Sequence, residues 1–167
     1  MINFLPKKPF RGIIEAEKTI KKSMNIRKAK ISDLGLIESL NKKYFHEKRD
    51  FKEIIKNKDN HFFVAEEKDK IIGFSGIKYS DWNNTARVID IFVHPDYRGK
   101  GCSDKLMQKI KAEAKKLKVR TIIAEAPSLN KALGFYLRNG FCICGFNDRY
   151  YSNDAKEIAV FLSFDIK

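Results

Sequence analysis

Val88-Ile89-Asp90-Ile91-Phe92-Val93-His94-Pro95-Asp96-Tyr97-Arg98-Gly99-Lys100-Gly101-Cys102-Ser103 is the stretch from which the rest of the chain can be read. Its apolar half predicts a strand, Pro95 begins a short turn, two glycines space a loop, and a helix starts behind them. Glycines at 99 and 101 permit torsions closed to other residues and let the main chain approach a ligand closely. The free amides of the first helical turn add the positive end of a dipole. Strand, glycine loop and helix N-terminus together predict a seat for a phosphate, and a pyrophosphate is the natural occupant.

Gly-x-Gly alone does not say which pyrophosphate. A P-loop requires Gly-x-x-x-x-Gly-Lys-Ser/Thr, and Lys100 is followed by Gly101 instead of a hydroxyl residue. A dinucleotide fingerprint requires a third glycine at 104, where Asp104 stands, and a place early in an alternating βαβ chain. Arg98 to Ser103 instead resembles the Arg/Gln-x-x-Gly-x-Gly/Ala loop of the GNAT superfamily of N-acetyltransferases, with Ser103 in the place of Gly or Ala. A second resemblance follows at the family's spacing. Asn130-Lys131-Ala132-Leu133-Gly134-Phe135-Tyr136-Leu137-Arg138-Asn139-Gly140-Phe141 is similar to Asn-x-x-Ala-x-x-Phe-Tyr-x-x-x-Gly-Phe, with Ala132 one place early. With the strand pattern between and around them, the two motifs cover roughly residues 25–166.

The resemblance implies an α/β (α+β) GNAT fold. Its central sheet is mixed and mostly antiparallel, with helices on both faces and a splayed parallel pair formed by the strands around 88–93 and 121–126. It also implies acetyl transfer from acetyl-CoA to a primary amine. The cosubstrate would rest on Arg98, Gly99, Lys100, Gly101, Cys102 and Ser103, with Asn130 and the main chain of Phe92 and Val93 along its pantetheine. The Val93 amide would be the oxyanion donor.

Transfer to an amine also needs proton handling. Tyr136 matches the family's tyrosine that protonates the departing sulfur; a phenol of ordinary pKa, about 10, donates as the thiolate forms. Asp90 would share a strand face with Val88 and Phe92, where a carboxylate needs a partner or a purpose. The family often has a base there; the plainer reading pairs Asp90 with a cation such as Arg87. Glu125 is the competing base or amine-binding group. Asp90, Glu125 and Asp148 suit a cationic acceptor, and Trp82, Tyr150 and Tyr151 are candidate pocket walls.

The 167 residues suffice for one core-forming domain, residues 25–167, behind a basic extension, residues 1–24, with a short helix expected at Ile13–Lys22. No apolar run has the length of a membrane span, and Met1–Pro6 does not read as a signal peptide, so a cytoplasmic protein is expected. Net charge is +13 with the lysines scattered along the chain, which reads first as a solvated face of ion pairs; steering of an anionic cofactor is the second reading, and the clustering of a nucleic-acid site is missing. Three cysteines at no ligand spacing read as buried reduced thiols, without metal, and the three histidines read as structural.

The remaining pattern predicts a strand from Met24, a helix capped by Ser32-Asp33, a short helix over 50–57, strands over 61–66 and 71–77, and a turn at 81–84. A helix carrying Leu106, Ile110 and Ala114 on its core face, a helix capped by Ser128, and two last strands complete it. The acceptor and oligomeric state, a homodimer included, are not legible. The rival reading is a GNAT-fold acyl-CoA sensor or anion-binding module without turnover, which Ser103 and the charge allow and which Tyr136 with Asp90 opposes.

Overall fold

Alternating apolar residues along the middle of the chain and a helical repeat behind the glycine loop build one sheet flanked by helices. The computed structural model describes residues 24–45 and 48–167. The helix expected at Ile13–Lys22 and His46 lie outside the described residues. In chain order come β1 (Asn25–Lys28), α1 (Leu34–Tyr44), α2 (Phe51–Lys56), β2 (Asn60–Glu67), β3 (Lys70–Ser80) and β4 (Thr85–Val93). Then follow α3 (Cys102–Lys116), β5 (Thr121–Pro127), α4 (Lys131–Arg138), β6 (Cys142–Asn147) and β7 (Ala159–Asp165).

The strands lie in the order β1-β2-β3-β4-β5-β7-β6, and every neighbour is antiparallel except β4 and β5. This is the mixed, mostly antiparallel sheet the resemblance implies. The parallel pair joins only at Thr85–Thr121, Ala86–Ile122 and Arg87–Ile123, so Val88–Val93 runs on without a partner on that side. There the sheet splits.

One face carries Ile37 of α1 and Phe51 of α2 against Phe62, Val64, Phe74 and Phe92. Its aromatic rings stack in sequence, with Phe74 and Phe92 centroids 5.1 Å apart. The other face buries Met107, Ile110 and Ala114 of α3 and Tyr136 of α4 against Ile77, Val88, Ile122, Ala124 and Leu162. The helical repeat of α3 therefore points where its pattern requires.

The structure corrects four local expectations. Asp33 does not cap α1; its carboxylate accepts from the Lys30 amide at 2.7 Å and pairs with Arg27 at 2.7 Å. Asn130, not Ser128, caps α4, accepting from the Ala132 amide at 2.9 Å, while the Ser128 hydroxyl accepts from the Ile158 amide. Only Cys102 is buried, because β6 forms the sheet edge and leaves Cys142 and Cys144 exposed. Finally, Val88 faces Ile77 and Asp90 faces Gly76, so Ile89 is a bulged residue. The bulge puts Asp90 on the face of Phe74 and Phe92, opposite Val88. No helix among the described residues is long and apolar enough to cross a membrane.

Candidate active site

Gly101 stands at the start of α3 with φ 78, after Gly99 with φ 73. Both torsions belong to the left-handed region that only glycine enters cheaply. The first bond of the helix is Lys105 N–H to the Gly101 carbonyl, at 3.1 Å. The amides of Cys102, Ser103 and Asp104 therefore precede it and point out of the helix end. A side chain at 99 or 101 would find nothing within 4 Å, so the loop faces open space.

That space is a cleft of about 760 Å³ between the end of β4, the glycine loop, α3 and α4. Of the residues the sequence assigned to the cosubstrate, Phe92, Val93, Arg98, Gly99, Cys102, Ser103 and Asn130 line it. Phe45, Phe135, Lys131 and Arg138 line it too, and motif reading had missed them. Among the described residues, the charged ones that line the cleft are Arg98, Lys131 and Arg138. Such a wall suits a polyphosphate.

The predicted residues play unequal parts. Arg98 Nε donates to the Val93 carbonyl at 3.1 Å, tying this cation to the strand end. Lys100 does not line the cleft: its ammonium donates to the Asp96 carbonyl at 2.8 Å and lies over the lining residue Tyr97. Gly101 shapes the turn without lining the cleft. The Cys102 side chain is buried, which pushes its thiol up to about 11 and leaves only its amide for a ligand. Asn130 caps α4 and lines the cleft at once.

Tyr136 sits behind the cleft wall at 4% exposure, beside the lining residue Phe135. Burial first, then the negative charges of Asp90 and Glu125, push its phenol well above the ordinary tyrosine range. Both carboxylates lie on the face away from α3 and α4. Asp90 pairs with Arg49 at 2.6 Å, not with Arg87. Arg49 also donates to the carbonyl of the bulged Ile89, at 3.3 Å. Arg87 instead pairs with Glu125 Oε2, whose Oε1 accepts from the Tyr150 hydroxyl at 2.5 Å. Tyr150 and Tyr151 pack edge to face there. Trp82 is 87% exposed in its turn, and Asp148 pairs with its neighbour Arg149 at 3.4 Å. Nothing in the sequence marked Arg49, because it meets Asp90 across 41 positions of chain.

His61 and His94 act within the framework, His61 against Glu113 at 2.9 Å and His94 against the Tyr44 hydroxyl at 3.0 Å. No cluster of three or more metal-ligating side chains occurs among the described residues.

Residues 30–141 match the sequence pattern of the Acetyltransferase (GNAT) family. A streptothricin acetyltransferase of Streptomyces lavendulae is 34% identical over 101 residues, covering 59% of this chain and 53% of that protein. The chain spans about half the length of the relatives it matches. Among solved structures, the ribosomal-protein-S18-alanine N-acetyltransferase of Escherichia coli superposes with a TM-score of 0.76 at 21% identity, covering 86% of this chain and 94% of that one. A Bacillus anthracis structure in complex with acetyl coenzyme A gives 0.72 at 24% identity, covering 87% and 98%. These structures share its fold.

Proposed function

The chain belongs to the Acetyltransferase (GNAT) family, and from that premise we propose that it moves an acetyl group from acetyl-CoA to a primary amine at the split between β4 and β5. One observation carries the reading: a cleft bounded by the glycine loop and the start of α3, whose charged lining among the described residues is Arg98, Lys131 and Arg138. The pyrophosphate rests on the amides of 102–104, with Arg98, Lys131 and Arg138 beside it. Pantetheine runs along Phe92 and Val93 toward the split, and the Val93 amide supports the oxyanion.

The acceptor approaches from the other face, where Asp90 and Glu125 lie. Its nitrogen attacks the thioester carbonyl, the C–S bond breaks, and the proton shed by the nitrogen passes to one of these carboxylates through water. The sulfur leaves toward Tyr136. A phenol held above its ordinary range parts with its proton reluctantly, so Tyr136 steadies the thiolate by donating a hydrogen bond. The thiolate then takes a proton from water as CoA leaves, the carboxylate returns its proton to water, and the net proton moves from amine to thiol.

The acceptor is a small cationic amine or a peptide amino group; streptothricin, named in the relative from Streptomyces lavendulae, is the first to try. Incubation with labelled acetyl-CoA and a pool of streptothricin, polyamines, aminoglycosides and peptides, read by mass spectrometry, tests the reading. A labelled amine supports it; acetyl-CoA binding without any labelled product favours the sensor.

A further inference from the structure

Lys111 reaches from α3 to the end of α4. Lys115 and Lys116 of this helix are exposed, and Lys105 and Lys109 are half-buried, with Lys109 over the Phe63 ring; the half-buried Lys111 ends on Phe141 and Phe164 instead. Its ammonium lies 3.7 Å from the centroid of the Phe164 ring and 5.7 Å from that of Phe141. It donates to the carbonyl of Asn139 at 2.5 Å. Asn139 is the C-cap of α4 and opens the turn that closes it.

That turn sets the place of Tyr136. The Phe141 amide donates to the Tyr136 carbonyl at 3.1 Å and the Gly140 amide to that of Leu137 at 2.9 Å, with Gly140 at φ 80. This is the Schellman pattern, in which the residue after the glycine packs on the one whose carbonyl it holds. Here the Tyr136 and Phe141 rings pack edge to face, 5.2 Å apart. Tyr136 is thus part of the cap, and a shift of the cap moves the phenol.

A helix of two turns has little stability or orientation of its own. Beside the core that Tyr136 shares with Met107 and Ile110, a pair of side-chain ties at one residue joins α4 to α3. The Asn139 amide donates to Asp104 in the first turn of α3 at 3.2 Å, and Lys111 binds the Asn139 carbonyl two turns further along. Each tie joins a charged group to a neutral one, but the first is exposed and the second partly buried, and a cation at a helix C-terminus is favourable.

We propose that Lys111 is a positioning residue for acetyl transfer: by holding the cap of α4 to α3, it fixes the Tyr136 phenol relative to the phosphate seat at the start of the same α3. The inference rests on the acetyl-CoA reading above. Lys111 does not line the cofactor cleft, so it acts on the phenol without touching the cosubstrate.

The test uses the full chain labelled with 13Cζ-tyrosine, with CoA as the probe, and needs no acceptor. The Tyr136 signal is identified by its loss in Tyr136→Phe. In the unsubstituted protein, CoA shifts that signal as the sulfur arrives beside the phenol. Lys111→Met keeps the apolar stem and removes the donor. It binds CoA with unchanged affinity by calorimetry yet loses most of the CoA-dependent shift, and Lys111→Arg restores it. A purely structural lysine would give a different result: either the shift persists in Lys111→Met, or CoA affinity and shift fall together. Either result overturns the proposal. Should Lys111→Met not fold, Lys111→Gln serves the same comparison. CoA that fails to bind the unsubstituted protein overturns the acetyl-CoA reading itself, and this inference with it.

Discussion

Gly73→Ala is the substitution that ties the packing of the sheet most closely to the proposed chemistry. Gly73 pairs with Val93 across β3 and β4. A Cβ there would stand 2.6 Å from the carbonyl oxygen of Phe92, with Leu106 Cδ1 at 3.4 Å and Cys102 Sγ at 3.5 Å. Ordinary contact begins near 3.4 Å, so something must give by the greater part of an ångström. The near neighbour is backbone and cannot rotate away. On its inner side the strand is held by the Phe74–Phe92 pair and by the His94 amide on the Ile72 carbonyl at 2.8 Å. The outer side, toward β5, is unpaired, so the main chain of Phe92 and Val93 shifts into the cleft.

Overpacking of this kind costs about 2 kcal/mol, a fall of roughly 4–8 °C in Tm for a domain of this size. Misplacing one backbone hydrogen bond to pantetheine costs about 1 kcal/mol, or roughly fivefold in acetyl-CoA affinity. Turnover falls further, by up to about a hundredfold, because the oxyanion donor moves as well. Differential scanning calorimetry and a calorimetric acetyl-CoA titration measure both effects. Gly35→Ala is the control: a Cβ there meets nothing within 4 Å, and the change should stabilise α1 by about 0.5–1 kcal/mol. A Gly73→Ala protein with unchanged Tm and acetyl-CoA affinity would refute the reasoning about how β4 is held.

Tyr136→Phe should lower turnover by about a hundredfold or more while acetyl-CoA affinity stays nearly intact; steady-state kinetics beside a binding titration separates the two. Asp33→Asn should cost about 1.5–3 kcal/mol in urea unfolding at neutral pH, because the carboxylate is held by Arg27 and the Lys30 amide. Those contacts, the Arg27 hydrogen bond foremost, hold the Asp33 carboxyl below its ordinary range. Its contribution is therefore complete above the unfolded carboxyl pKa and is lost as pH falls through the folded one, so Asp33→Asn should show a flatter acid limb. Ser75→Ala should be neutral or stabilising by up to about 1 kcal/mol, since the Ser75 hydroxyl is buried without a hydrogen-bond partner; a clear loss in Tm would show that the hydroxyl is satisfied after all.

The glycine loop and the helix behind it were legible because each is set by nearby residues: torsions at 99 and 101, and the repeat of Leu106, Ile110 and Ala114. The second motif was legible for the same reason, as Gly140 and Phe141 close α4 on Tyr136 within a single turn. What was not legible depends on chain brought from far away. Alternation along β4 misplaced Asp90 because the bulge at Ile89 arises from pairing with β3. Arg49 was invisible as its partner across so long a separation, and Arg87, the neighbour in sequence, reaches Glu125 instead. Ser128 and Asn130 both have capping chemistry, and the loop before β7 settles the choice by offering Ile158 to Ser128. The cysteines of β6 looked buried because linear order does not show that β7 lies between β5 and β6.

The central claim is that the glycine loop and the end of β4 hold acetyl-CoA. Amide hydrogen exchange with and without acetyl-CoA tests it residue by residue. The account predicts slowed exchange at Phe92 and Val93 and from Gly99 to Asp104. Protection centred on a different groove, such as the one lined by Lys115, Cys142 and Lys167, or no protection at saturating acetyl-CoA, would contradict it.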